Sequence, residues 1–365
     1  MRWLSGFKYF DVTLFGSSFI LLLLGLLMIY STTLGSPGML LRQIIAAGIG
    51  LLAMFALAFY DYRNLKKLTS IIYIAIIGLL VLVLFIGSNI RGSARWIDLG
   101  FYNIQPAEFA KLAMVIIMAK YLDRQDEKLK AFRYVFLSAV YVLIPVALVM
   151  AEPDLGSSLI LLFTWAGMLL FSKIRKRQLA ILVAVGLVAA IASWFLLLHD
   201  YQKQRVFTFL DPSLDPQGRG YNVIQSITAV GSGEIFGRGV GRGLQSQLKF
   251  LPERQTDFIF ASTAEELGLI GSTIVLGLFF VILYRIVKAC LHARDNFGLY
   301  LCLGILFMLF FQVVINVGMN IGIMPVTGIP LPLVSFGGSS LLTTLLSLGL
   351  VQSVVARQKA LKFDG

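Results

Sequence analysis

Long apolar runs constrain this chain more than any other feature. Ten segments, at about 11–30, 40–60, 68–87, 106–121, 133–150, 157–172, 178–199, 258–284, 297–317 and 330–356, are long enough, or nearly so, to cross a bilayer core. A spanning helix needs about 20 apolar residues. A soluble fold of 365 residues could not hide this much apolar surface, because the hydrophobic residues reach 58% and the charged ones only 14%. The sequence therefore predicts an all-α polytopic membrane protein of about ten transmembrane helices. One extracytoplasmic loop, 200–257, is expected between helices 7 and 8 of a single domain, 1–365. The first segment follows Arg2 and Lys8 without a small-residue cleavage site, and reads as a retained anchor.

The net charge of +12 would suggest nucleic acid in a soluble protein. Topology explains it here. With the N-terminus inside, alternate connections hold twenty of the 31 basic residues, and the short loops on the other side hold only Arg91 and Arg95. Lys and Arg concentrate in cytoplasmic loops. This predicts a plasma-membrane protein with both termini cytoplasmic and 200–257 outside, in contact with membrane lipids and needing no nucleic-acid partner.

Much chemistry is excluded. Cys290 and Cys302 form no disulfide framework, and His199 and His292 stand alone. There is no P-loop and no GxSxG motif. Carboxylates, cations and backbone remain. No matched pair of broken segments suggests transporter-type inverted halves.

The long connection 200–257 exceeds the usual few residues and reads as functional. Val223, Ile224, Ile227 and Val230 recur at helical spacing, predicting a short amphipathic helix at the membrane surface. Six glycines between Gly231 and Gly243 alternate with Arg238 and Arg242, and Lys249 follows. This stretch is either a phosphate cradle of backbone N–H groups and guanidinium or a solvated flexible loop. Asp257 stands where the polar loop meets an apolar helix. Either Thr256 or Asp257 caps that helix, or the Asp257 carboxylate serves as a general base in a partly desolvated cleft.

Polar features recur at membrane depth. Glu108 and Lys111 are spaced i,i+3 and can pair, either structurally or as a site lining. Glu152 and Asp154 open segment 6, and Glu265 and Glu266 lie about two turns beyond Asp257. The stretch 325–340 carries three prolines, with Ser335 and paired glycines, and breaks helix geometry where irregular backbone must be buried or line a cavity. Glu108, Lys111, Asp154, Asp257, Arg91, Arg205, Lys249 and this break all fall toward the outer side. They predict a cavity for an amphiphile with an anionic head.

RGSARWIDLG at 91–100, QPAEFAKL at 105–112, EPDLGSS at 152–158, the 200–226 stretch, GLQSQLKFLPERQTDFIFASTAEELGLIG at 243–271 and GIPLPLVSFGGSS at 328–340 resemble the SEDS family (shape, elongation, division and sporulation). The resemblance spans nearly the whole chain and is strongest to the elongation members. It implies a peptidoglycan glycosyltransferase that polymerises lipid II into a nascent glycan strand for cell elongation. The implied partners are a class B penicillin-binding protein, which supplies the transpeptidase, and the elongation complex. A division-type polymerase and a lipid II flippase or transporter are the alternatives.

The family's essential loop aspartate falls on Asp257, as general base, and its ion pair on Glu108 and Lys111. Arg205, Lys249, Arg91 and Lys111 are the expected pyrophosphate ligands. Glu108, Asp154, Thr256 and Ser335 complete the expected substrate-binding set. A divalent cation, Mg or Mn, could share the work, although no ligand cluster in the sequence marks its place. Two departures from the family pattern are Ala107 in QPAE and Glu152, which adds a negative charge.

Overall fold

The computed structural model describes residues 10–34, 37–90, 93–98, 100, 103–196, 200–212, 215 and 218–359. Arg91 and His199 lie outside them. The helices are α1 Val12–Thr32, α2 Pro37–Phe59, α3 Leu65–Ile86, α4 Pro106–Gln125, α5 Phe132–Ala151, α6 Leu155–Leu170 and α7 Lys176–Leu196. Then come α8 Asp200–Leu210, α9 Arg219–Ser232, α10 Leu244–Gln247, α11 Ile259–Leu291, α12 Asn296–Asn320 and α13 Gly338–Lys359. Among the described residues, eight helices are long and apolar enough to span a membrane, and α4 and α6 run through the bundle with them.

α6 is short, and α4 is charged, carrying Glu108, Lys111, Lys120, Asp123 and Arg124. The packing explains how α4 tolerates those charges. It sits at the centre, against α3, α6, α12 and α13, with fourteen residues buried, so protein and not lipid surrounds it. α7 is the opposite case, since none of its apolar window is buried. The remaining core is a continuous cluster of Leu, Ile, Val, Met and Phe from the other spans.

Two ends of the bundle differ in chemistry. At one end, Lys66 pairs with Asp123 at 2.9 Å and Asp295 at 3.4 Å, Lys173 pairs with Asp126 at 3.0 Å, and Arg285 pairs with Asp11. These pairs tie together the basic connections that the charge pattern assigned to one side. The opposite end holds an antiparallel three-stranded sheet that the hydropathy pattern did not predict: β1 Ser88–Ile90, β2 Ser93–Asp98 and β3 Asn103–Ile104, in the order β1-β2-β3. It also holds Asp154, α8–α10 and an irregular stretch before α13. The helix expected from 330 begins at Gly338, because the proline-rich 325–337 stays non-helical.

α11 is not one regular helix. Gly268 has φ 67° and ψ −164°, which removes the two helical bonds that Leu269 N–H and Ile270 N–H would make to the carbonyls of residues 265 and 266. The loop after α9 supplies replacements. Leu269 N–H donates to Glu234 O (2.9 Å) and Ile270 N–H to Ile235 O (3.2 Å). In return Arg238 N–H donates to Glu265 O (3.0 Å) and Gly239 N–H to Glu266 O (2.9 Å). The loop is thus spliced into the break, and no buried backbone group is orphaned there. Glycine is required where the backbones meet: a Cβ at Gly237 would lie 2.2 Å from Glu266 O, and one at Gly268 would lie 2.3 Å from Gly237 N.

The side chains of Glu265 and Glu266 complete the joint. Glu265 accepts from Gln245 N (2.7 Å) and Ser246 N (3.0 Å), and Glu266 from Gly241 N (3.1 Å) and Ser31 Oγ (2.7 Å). The glycine-rich stretch is therefore neither a phosphate cradle nor a loose loop. The amides of Arg238, Gly239 and Gly241 are already used by carbonyls and a carboxylate of α11, and those of Gly237 and Arg242 by carbonyls within the stretch itself.

Candidate functional site

Asp257 is held by its backbone from two sides. Its carbonyl accepts from Asn316 Nδ2 and Asn320 Nδ2 of α12, each at 3.0 Å. Asn316 also donates to Ile329 O at 2.7 Å, and Asn320 Oδ1 accepts from Ala261 N at 3.0 Å. On the other side Ser335 Oγ donates to Thr256 O (2.6 Å) and accepts from Leu331 N (2.8 Å), while Phe336 N donates to Gln255 O (2.8 Å). Both asparagines are fully buried. A buried amide is stable only when its donors are matched, so this network fixes residues 255–257 against the irregular 328–336 stretch.

Asp257 stands just before the capping position of α11: the helix starts at Ile259, Phe258 holds that position, and its own side chain makes no capping hydrogen bond. The carboxylate turns instead toward Gly328, where an added Cβ would sit 3.5 Å from Oδ2. It lines a cavity of about 340 Å³. Arg42 and Gln43 of α2, Arg95 and Trp96 of β2, Gln105 just before α4, and Arg205 of α8 share the wall with Thr256, Thr327 and residues 336–340 at the start of α13. One carboxylate thus shares the wall with three arginines, a composition that attracts an anion and keeps one base beside it. Arg205 donates to Thr327 O at 3.4 Å. Gln43 bridges Ser335 O (3.2 Å) and Gly337 N (3.2 Å), so α2 is pinned to the same stretch that carries Thr256.

Of the residues expected from the sequence, Asp257, Thr256 and Arg205 meet at this wall. Ser335 is buried behind it as the clamp on Thr256. Asp154 is also one step back. It caps α6 by accepting from Ser157 N (3.0 Å), accepts from Gln105 Nε2 (3.1 Å) and faces Arg95 at 3.8 Å, so it orients two wall residues without lining the wall. Glu108 and Lys111 form their ion pair at 2.8 Å, but both side chains are buried inside the bundle and neither lines the cavity. Lys249 is exposed, in the left-handed region at φ 61°, and away from the cavity wall. Arg91 lies outside the described residues; Arg95, four positions on, occupies the wall.

Arg42, Gln43, Arg95, Trp96 and Gln105 are among the wall residues that lay outside the expected substrate-binding set. Arg42 had a usable signal: an arginine in an apolar span is expensive unless it faces an interior or a watered cavity. Arg95 is set by the turn between α5 and α6, donating to Glu152 O at 2.8 Å and to Pro153 O. α9 forms as predicted but buries Val223, Ser226 and Ala229, leaving Ile224 and Ile227 exposed. Ser226 Oγ donates to Asn320 O at 2.9 Å, which turns the helix toward α12.

Glu152 is buried at the same turn, and burial pushes its carboxyl up to about 8, with Asp154 adding to the rise and Arg95 opposing it. At neutral pH it is largely protonated, so the added negative charge expected at this position is mostly absent. Among the described residues no group of three or more His, Cys, Asp or Glu could hold a metal ion. The wall offers one carboxylate, so a magnesium ion there would be held by Asp257 together with substrate phosphate oxygens and water, not by protein alone.

The FtsW/RodA/SpoVE family model, described as a cell cycle protein, matches residues 12–360. The peptidoglycan glycosyltransferase MrdB of Escherichia coli strain K12 is 40% identical over 355 residues, covering 97% of this chain and 95% of that protein. Stage V sporulation protein E of Bacillus subtilis is 38% identical, covering 94% and 96%. Among solved structures, a chain of a peptidoglycan synthase complex that coordinates polymerization and crosslinking superposes with TM-score 0.83 at 36% identity, covering 96% of this chain and 99% of that one. The rod shape determining protein RodA of Thermus thermophilus superposes with TM-score 0.72 at 31% identity, covering 96% and 98%.

Proposed function

The chain belongs to the FtsW/RodA/SpoVE family, and on that footing we propose that it is a peptidoglycan glycosyltransferase of the elongation type, with lipid II as substrate and Asp257 as general base. The observation that carries this reading is the cavity wall: a single carboxylate, fixed by its backbone, beside Arg42, Arg95 and Arg205. The wall stands at the end of the bundle opposite the basic connections. The charge pattern supports reading that end as extracytoplasmic, with both termini in the cytoplasm.

The chemistry follows from the groups present. The Asp257 carboxylate takes the proton from the 4-hydroxyl of the acceptor N-acetylglucosamine. The oxygen attacks C1 of N-acetylmuramic acid on the growing strand, and the new C1–O bond forms as the bond to pyrophosphate breaks. Undecaprenyl pyrophosphate leaves with the electron pair, and the α-linked donor becomes a β-1,4 product by inversion. The charge developing on pyrophosphate is the larger electrostatic task. Arg42 and Arg205 meet this task with the fork geometry that suits phosphate oxygens, and Arg95, whose fork is held by Glu152 O and Pro153 O, adds positive charge at the wall. Asp154 holds Gln105 and faces Arg95, and Ser335 fixes Thr256, so both act by positioning. A class B penicillin-binding protein would supply crosslinking.

The test is polymerisation of fluorescent lipid II by purified protein in detergent, where no second compartment exists. Wild type should yield glycan polymer. Asp257→Asn should keep its melting temperature and its binding of lipid II, yet lose activity by about 10²-fold or more, the usual contribution of a general base. Near-normal polymer from that variant removes Asp257 from the role. No polymer from wild type, with lipid II movement across vesicles, makes the protein a transporter.

A further inference from the structure

The segment 234–250 carries features that the cavity does not use. Its backbone is spliced into α11 at residues 265–270, within a membrane span. Two helices measure the depth of that joint. Asp11 caps α1 and pairs with Arg285 of α11, marking one boundary of the apolar bundle. α1 then runs 21 residues to Thr32, and a helix rising 1.5 Å per residue crosses a hydrocarbon core of about 30 Å in about 20 residues. The far boundary therefore lies near Ser31. Counting about 20 residues back along α11 from Arg285 reaches Glu265 by the same rule. Ser31 Oγ bonds Glu266 Oε1 at 2.7 Å, so the two rulers meet at one level. The loop is joined to α11 at the edge of the hydrocarbon.

At this level the loop exposes what a water-facing loop would bury. Phe236 is 80% exposed, Leu248 60% and Ile235 56%, with Leu244 and Phe250 also exposed. Leu269 and Ile270, whose amides bond the carbonyls of Glu234 and Ile235, expose their side chains beside them. Arg238, Arg242 and Lys249 are exposed between these apolar groups, and Glu234 is the single acid of the segment. Apolar side chains with interleaved cations suit an interface of acyl chains and anionic phosphates. Part of the backbone is satisfied without water, because the amides of Arg238, Gly239, Gly241, Gln245 and Ser246 are taken up by carbonyls and carboxylates of Glu265 and Glu266.

We propose that residues 234–250 form a bilayer anchor on the cavity side, with Ile235, Phe236, Leu244 and Leu248 among acyl chains and Arg238, Arg242 and Lys249 on anionic phospholipid headgroups. The anchor holds Asp257 and the first part of α11, up to the break at Gly268, at a fixed height against the membrane. Lys249, expected from the sequence to meet substrate pyrophosphate, serves lipid phosphate instead.

The test uses the full chain in nanodiscs of equimolar phosphatidylcholine and phosphatidylglycerol. A nitroxide is placed at Phe236→Cys; Cys290 and Cys302 are buried, and the parent protein controls for their labelling. Collisions with oxygen should exceed those with a water-soluble nickel chelate, as at a lipid-facing control, Phe280→Cys. Dominant nickel collisions, or shielding from both probes by protein, overturn the anchor. In the second arm native mass spectrometry follows bound phosphatidylglycerol. The combined R238Q, R242Q and K249Q variant should lose affinity on the order of 10- to 100-fold, the worth of three cations at an anionic surface. Unchanged retention overturns the headgroup assignment. Displacement of the lipid by inorganic pyrophosphate also overturns it, in favour of a site for soluble phosphate or substrate.

Discussion

Glu152 shows how one side chain is governed by its surroundings and not by its motif. Neither carboxylate oxygen has a hydrogen-bond partner among the described residues, and the residue is 1% exposed. A carboxyl raised to about 8 in the folded state and near its ordinary value in the unfolded chain binds its proton more tightly when folded. Its contribution to stability is therefore full below the unfolded value and is lost as pH rises toward 8. Glu152→Gln should match the parent at about pH 5 and melt higher at about pH 9, by on the order of 1–3 kcal/mol, the penalty of a buried unpaired polar group. Coincident melting curves at both pH values would show that Glu152 is solvated. Asp257 was legible as a singular carboxylate at a helix start. Its place one residue before the capping position was visible only from where α11 begins, since capping depends on backbone dihedrals.

At the scale of elements, α11 and the glycine loop act as one unit. Each supplies the hydrogen bonds the other lacks, and two glycines allow the approach. Gly268→Ala and Gly237→Ala should each destabilise the purified protein by about 2–4 kcal/mol, because each adds a Cβ at positive φ against backbone. Gly277→Ala in the same helix meets nothing within 4 Å and should be neutral or slightly stabilising. Thermal melts in detergent compare the three; equal melting temperatures would mean the splice is not formed. Hydropathy could not reveal the joint, because a continuous apolar run says nothing about a break at one glycine. The small sheet escaped for a similar reason: its three strands have two to six residues each, too short for alternation to register.

Across the whole molecule, charge separates the two ends of the bundle. Lys173 illustrates the basic end: it pairs with Asp126 and Glu127, and Glu127, bonded to Lys173 and Lys130, has its carboxyl pulled down to about 2. If that end faces the cytoplasm, a membrane-impermeant maleimide should label Asp215→Cys in cells with a permeabilised outer layer and leave Lys128→Cys unlabelled until lysis. The reverse pattern would invert the topology and remove the cavity from the side where glycan strands are made. The centre obeys a different rule. α4 carries charge through the bundle because the neighbouring helices shield it, with Glu108 and Lys111 neutralising each other at 2.8 Å.

Segment lengths and the long motifs were enough by themselves to determine a helical membrane protein and its family, and with the clustering of Lys and Arg they singled out an orientation and one aspartate as expectations. Those properties are written in local composition and order. Which cations share a wall with that aspartate was decided by tertiary structure. Arg42, Arg95 and Arg205 come from α2, β2 and α8, far apart in the chain, and converge because Gln43, Asp154, Ser335, Asn316 and Asn320 satisfy buried backbone and amide groups between elements. Such pairing is a requirement of burial, and burial exists only once the helices have packed.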